Sequence, residues 1–259
     1  LTAQATDDIT LDAVGNDFQG AVSIPDANNV TLVDTDALQL GASTISGSLE
    51  VTASGTITQS GAVTAGATML DAGGNDITLN DAGNVFGDLT VTGGTVRITE
   101  NDAITDGAAW NSGATILDAG GNAITLDNGA NDFTGDAVVS NTSDVILVDA
   151  NDITLGACTI AGILDVTTSG QITQSGALDV AGATTLDAGG TATPGNDIIL
   201  DNAANDFDSD DSGDTVTVTQ GRAVDLADGD TLRLGAVNAG TDFTVTAQDV
   251  EVGGNLSGT

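Results

Sequence analysis

LDAGGNDITLNDAGNVF, at residues 70–86, sets a short period-two run, Ile77-Thr78-Leu79, between two clusters of Gly, Asn and Asp. Alternation bounded by turn formers is the pattern of a brief strand between tight turns. The pattern returns along the chain: DITL stands at 8–11 and 76–79, AITL at 123–126 and DIIL at 197–200. The copies are followed by Asn16-Asp17-Phe18, Asn84-Val85-Phe86, Asn131-Asp132-Phe133 and Asn205-Asp206-Phe207. Three are preceded by LDAGG, at 70–74, 117–121 and 186–190.

The copies start at Asp8, Asp76, Ala123 and Asp197, and the uneven spacing is informative. The interval from Asp76 to Ala123 is the short one. ITQSGA occurs at 57–62 and 172–177 but is missing from that interval, as if one piece of structure had been lost whole. The longest interval holds an insertion, TATPG at 191–195, whose proline suits an exposed loop. Units of about 20 residues that can be dropped whole or swollen by a loop are the coils of a solenoid. The large repeat divides into three of them: LDAGGNDITLNDAGNVFGD (70–88), AVSIPDANNVTLVDTDALQLGASTISG (21–47) and SLEVTASGTITQSGAVTAGA (48–67). No helical periodicity is present, and glycine interrupts every window in which a helix could form. The expected fold class is all-β, a parallel β-helix or β-solenoid of about 10 coils of roughly 20–27 residues and about 50 Å in length. It forms a single domain over 1–259, with large repeats at approximately 1–67, 68–114, 115–183 and 184–259.

Internal alignment assigns faces. In ALQLGAS (37–43), DITLGAC (152–158) and TLRLGAV (231–237) the apolar positions Leu38, Leu40, Ile153, Leu155, Leu232 and Leu234 point inward. Gln39, Thr154 and Arg233 between them point outward, as does Arg97. The recurring Phe18, Phe86, Phe133 and Phe207 are expected to plug coil corners. Cys158, aligned with Ser43, reads as a packing residue, and Trp110 falls at the seam where the coil is lost.

Composition narrows the function. The chain carries 38 acidic residues against 3 arginines, has no histidine or tyrosine, and bears a formal charge of −35. Nucleic acid and anionic membrane surfaces, which are held by clustered Lys and Arg, are excluded as partners. No stretch approaches the roughly 20 apolar residues of a membrane span. The N-terminal LTAQATDDIT lacks an initiator Met and a signal sequence, and reads as a mature product or a piece of a longer chain. A single cysteine permits no intramolecular disulfide. All but three of the acids, Glu50, Glu100 and Glu251, are aspartate, the choice of turns and not of helices.

LDAGGNDITL, NDFTG, LGASTISG, LEVTASGTITQSG and GATTLDAGG resemble the repeats of very large secreted bacterial surface proteins of the filamentous haemagglutinin and autotransporter-adhesin type. The resemblance covers almost the whole chain. It implies a right-handed parallel β-helix serving outside the cell, at the bacterial surface or secreted, as a stalk, fibre or filament in an adhesin or biofilm setting. The partners it implies are further repeats of a longer chain, end-to-end self-association, and a host or cell-surface receptor.

Enzyme chemistry is not expected. Lyases of acidic polysaccharides need Arg or Lys on the substrate carboxylates, and a field of −35 repels such a substrate. The acid pairs Asp7-Asp8 and Asp210-Asp211 have no His, Lys or Tyr to tune them. Ice binding would need one rank of outward Thr, and the aligned outward positions vary. Calcium is the cofactor candidate, because Asp carboxylates and glycine-exposed carbonyls are its ligands. LDAGGNDITLND resembles the nonapeptide calcium repeat and nominates Asp71, Asp76 and Asp81 as the metal site. Carboxylates stacked one coil apart would repel by about 0.9 kcal/mol in unscreened water, so salt or divalent ions are expected to stabilise the rod. A salt- or calcium-dependent surface-layer or biofilm matrix protein is the alternative role.

Overall fold

The computed structural model describes residues 1–189 and 195–258. Its strands pair in parallel and stack as a β-solenoid of about 13 turns, without a helix among the described residues. Two sheets run along the rod, one of 15 strands and one of 11. Short ladders such as Cys158–Ile160 with Leu178–Val180 and Asp206–Phe207 form further faces. Most of the proline-bearing insertion, at 191–194, lies outside the described residues.

The coils are more numerous than expected. Val30 pairs with Leu49, Leu49 with Thr68 and Thr68 with Leu89, so these coils take about 20 residues each, whereas Thr184 pairs with Val216, 32 positions on. The longer coil expected of segment 21–47 is not formed. Val22 bridges Leu40 and Ala27 bridges Ile45, so that segment stacks on itself and spans more than one turn. The larger sheet's main path has 13 strands, which at about 4.8 Å per step makes the rod roughly 60 Å long.

The interval from Asp8 to Asp76 therefore exceeds three coils by one strand, and the DITL copies change face. Ile9–Leu11 and Ile124–Leu126 belong to the 15-stranded sheet, whereas Ile77–Leu79 and Ile198–Leu200 belong to the 11-stranded one. The sequence repeat and the structural repeat are out of phase.

Alternation sets the core. Leu38, Leu40, Ile153, Leu155, Leu232 and Leu234 are buried, and the strand Val30–Asp34 alternates buried with half-buried positions. Arg97 is exposed, while Thr154 and Arg233 are half-buried on the outer side. Phe86, Phe133 and Phe207 lie in the core, with Phe18 half-buried in the first coil. Cys158 is buried, its thiol pushed up to about 11 by desolvation, and packs in line with Leu178.

Trp110 is fully buried where the ladder between Leu89–Gly93 and Ile104–Ser112 shifts register. Its indole Nε1 donates to Ser112 Oγ at 3.1 Å. Its backbone N–H donates to Asn131, as those of Val63 and Leu178 do to Asn84 and Asn205, so Trp110 occupies the position those residues hold in the longer copies. Trp110→Ala is expected to cost about 3–5 kcal/mol and Trp110→Leu clearly less, because leucine is native at the equivalent site. Thermal unfolding of both variants checks the order.

Candidate functional site

The residues that recur most faithfully meet inside the rod. Asn84 is fully buried. Its Oδ1 accepts the N–H of Val63 (2.9 Å) and Nε2 of Gln59 (2.9 Å) from the preceding coil. Its Nδ2 donates to Gln59 Oε1 (2.9 Å), to the Leu79 carbonyl of its own coil (3.3 Å) and to the Thr99 carbonyl of the next (3.0 Å). Asn205 repeats the pattern with Leu178 N (3.0 Å), both ends of Gln174 (2.8 and 3.0 Å), Leu200 O (3.2 Å) and Ala227 O (3.1 Å). One side chain thus ties three coils together. Gln59 and Gln174 are the glutamines of the two ITQSGA motifs, which accounts for the motif's recurrence.

The short copy keeps this part in altered form, which corrects the expectation that it is missing. Asp106 stands in for the glutamine: its Oδ2 accepts Asn131 Nδ2 at 2.7 Å, while Asn131 Oδ1 accepts Trp110 N at 2.8 Å. What is absent is one coil elsewhere in the repeat. Asn16 Nδ2 donates to Leu11 O (2.9 Å) and Val33 O (3.2 Å), the same own-coil and next-coil carbonyls.

Two positions on from each of these asparagines, the phenylalanine's N–H meets a carboxylate from the next coil. Phe18 N donates to Asp34 (3.1 Å), Phe86 N to Glu100 (3.0 Å), Phe133 N to Asp149 (2.9 Å) and Phe207 N to Asp228 (2.9 Å). All four acids are buried. In the aspartates the second oxygen accepts the N–H two positions on, at Asp36 (2.9 Å), Asn151 (2.6 Å) and Asp230 (2.9 Å). Glu100 Oε1 has no such partner. Burial pushes Asp149 and Asp228 above the usual carboxylate range, and pushes Glu100 up to about 8. Sequence reasoning missed these acids, although the signal was present: in VTLVD, alternation turns Asp34 to the same side as Val30 and Leu32.

The aspartate of DITL has a second task. Asp8 accepts the N–H of Asn29 (3.1 Å), Asp76 that of Thr95 (2.8 Å) and Asp197 that of Ala223 (3.1 Å), each one coil onward. The aspartate of LDAGG instead closes a local turn, Asp71 with Gly73 N (2.9 Å) and Asp118 with Gly120 N (3.0 Å). Both glycines have positive φ, +55° and +59°, which a side chain would strain.

The expected metal residues are therefore occupied separately: Asp71 and Asp81 cap their own turns through Gly73 and Gly83, and Asp76 staples the next coil. The acids gathered closely enough to share an ion, among the described residues, are Asp208, Asp210 and Asp214. Asp208 is engaged already, by Arg233 and by the N–H groups of Gly213 (3.1 Å) and Asp214 (3.2 Å). Burial would raise its carboxyl, but those backbone donors and Arg233 hold it below the usual range. Asp8 of the Asp7-Asp8 pair binds Asn28 and Asn29, and Asp210 of the Asp210-Asp211 pair accepts Ser212 N.

Among the described strand pairs, acid faces acid in register at Asp179 and Asp206 alone, whereas Asp71 lies between Thr52 and Thr92 and Asp118 between Thr99 and Ser140. Burial, and then Asp230, Asp228, Asp179 and Asp211, raise Asp206.

A repeat family described as "Repeats of unknown function (DUF5649)" matches residues 1–25, 27–92, 85–140 and 142–212. No similar curated protein and no similar solved structure was found for the chain.

Asn84→Ala strands Gln59, the Val63 amide and two carbonyls inside the rod. It is expected to destabilise by roughly 3 kcal/mol or more, and Asn16→Ala by less, since Asn16 is only half-buried. Denaturant titration of the two variants tests the ranking.

Proposed function

The chain belongs to the DUF5649 family of repeats of unknown function, and on that footing we propose that it is a structural rod: a stalk, fibre or filament segment of an extracellular bacterial surface protein. The observation that carries this reading is the direction in which the recurring polar residues point. Asn, Gln and the buried acids join coil to coil inside a parallel ladder, while outward positions drift among Thr, Glu, Met, Ile and Asp along single columns. A segment built so keeps its geometry and leaves its surface free to vary. Function then resides in length and stiffness, with no catalytic group assigned. Antibodies to the chain are expected to label the surface or shed filaments of the producing bacterium. Labelling confined to the cell interior would sink the proposal.

Self-association or continuation is part of the same reading. Val250, Val252 and Leu256 are 42%, 54% and 48% exposed, although their register partners Leu232, Leu234 and Val237 are buried. A further parallel coil, from a longer chain or a second molecule, would cover them.

The second reading, a calcium- or salt-dependent surface-layer or biofilm matrix protein, draws on Asp208, Asp210 and Asp214 and on the Asp179–Asp206 contact. For the passive rod, calcium chloride and sodium chloride at equal ionic strength should raise the melting midpoint alike. A further rise specific to millimolar calcium would favour the matrix role.

A further inference from the structure

The four Phe corners form an internal comparison in which one member departs from the rest. Asp34, Asp149 and Asp228 each place one oxygen on a phenylalanine N–H and the other on the N–H two positions along. Glu100 holds Phe86 N through Oε2, but its extra methylene carries Oε1 away from the corresponding backbone donor, and that oxygen is buried without a partner. Glu100 as a whole is 1% exposed. It sits in the shortest repeat, in the turn that precedes the strand Ile104–Ser112 carrying Trp110.

We propose that Glu100 is a proton-dependent lock on the short repeat: as a neutral acid it holds the Phe86 corner against its own coil, and on losing its proton it releases that corner.

The physical basis is the lack of compensation. A neutral carboxyl with one unused oxygen is a modest burden in a core, whereas a carboxylate there needs charge or several donors. The charged groups on the adjoining coils are Asp71, Asp76, Asp81 and Asp88 on the coil before, Arg97 and Asp102 on its own, and Asp106 and Asp118 on the coil after. Asp81 is engaged with Gly83 N, Asp88 with Thr105 Oγ1, and Asp118 with Gly120 N and Asn141 Nδ2; all are acids and offer no relief. Arg97, the cation among them, is exposed on the opposite side of its strand from Ile98, whose inward side Glu100 shares. Asp102 adds repulsion to the desolvation that dominates. Ionised Glu100 gains most by turning toward water, which breaks its bond to Phe86 N.

Because the folded form holds this proton more tightly than the unfolded one, the Glu100 contribution makes stability fall as pH rises from about 4.5 to about 8, and flatten above. The test compares wild type with Glu100→Gln, a permanent mimic of the neutral acid, by thermal unfolding from pH 5 to pH 10 and by amide exchange at Phe86. The Phe133 amide, held by Asp149, is the internal reference. The expected result is that the midpoint of E100Q gains on that of wild type as pH rises. In wild type, Phe86 exchange should accelerate relative to Phe133 above about pH 8, and not in the variant. A midpoint difference that is the same at every pH, or a Phe86-to-Phe133 exchange ratio independent of pH, overturns the proposal. If E100Q does not fold, the exchange ratio in wild type decides alone.

Discussion

Every part of this rod depends on coil stacking at the β-sheet spacing of about 4.8 Å. That distance repeats at each strand and each corner, so any group that cannot be satisfied within its own coil must be satisfied by the one before or after. Apolar positions meet the condition by lining up in register, as Leu32, Val51, Leu70 and Val91 do. Corners meet it with short polar side chains. An aspartate is long enough to reach the next coil's backbone and short enough to stay in its own turn, which is why Asp8, Asp76 and Asp197 recur where a longer acid would overshoot. Glu100 shows what one extra methylene does: one contact is kept and the other is lost.

The same constraint explains how a chain of charge −35 folds compactly. Many carboxylates are hydrogen-bonded by backbone N–H groups and not paired with cations, of which there are 3. Two of the arginines pair with acids: Arg222 binds Asp197 through two nitrogens, at 2.7 and 2.5 Å, and Arg233 bridges Asp208 and Glu251. Threonine and serine separate the acids along columns such as those of Asp71 and Asp118, and repulsion between acids is felt at Asp206, beside Asp179 and Asp228, at Asp165, beside Asp187, and at Asp149, beside Asp132 and Asp152.

Asn84 and Asn205 are the tightest joints. Each closes five hydrogen bonds over three coils, and each lies beside a phenylalanine whose own N–H is taken by the following coil. A unit of this kind specifies register as well as stability, because a coil shifted by one position would leave buried donors and acceptors unmatched. It also tolerates loss of a coil, as the short copy shows, provided that a shorter acid and a larger apolar residue, Asp106 and Trp110, refill the place of Gln59 and Val63.

Sequence periodicity by itself determined that the chain is an all-β solenoid, which apolar residues face inward, and that Phe and Cys158 are packing residues, because alternation and turn chemistry are local properties. It also showed that the NDF and ITQSGA motifs recur, without showing why. Only the tertiary structure decided the coil length, since segment 21–47 looks like one unit until Val22 is seen to pair with Leu40. It alone joined Gln59 to Asn84 and Phe86 to Glu100, pairs 25 and 14 positions apart. Which residues meet one coil on depends on the summed length of every intervening turn, a quantity no single motif carries. The same is true of the carboxylates: composition fixes their number, but whether two stack or are separated by threonine is set by register, and register exists only in the folded rod.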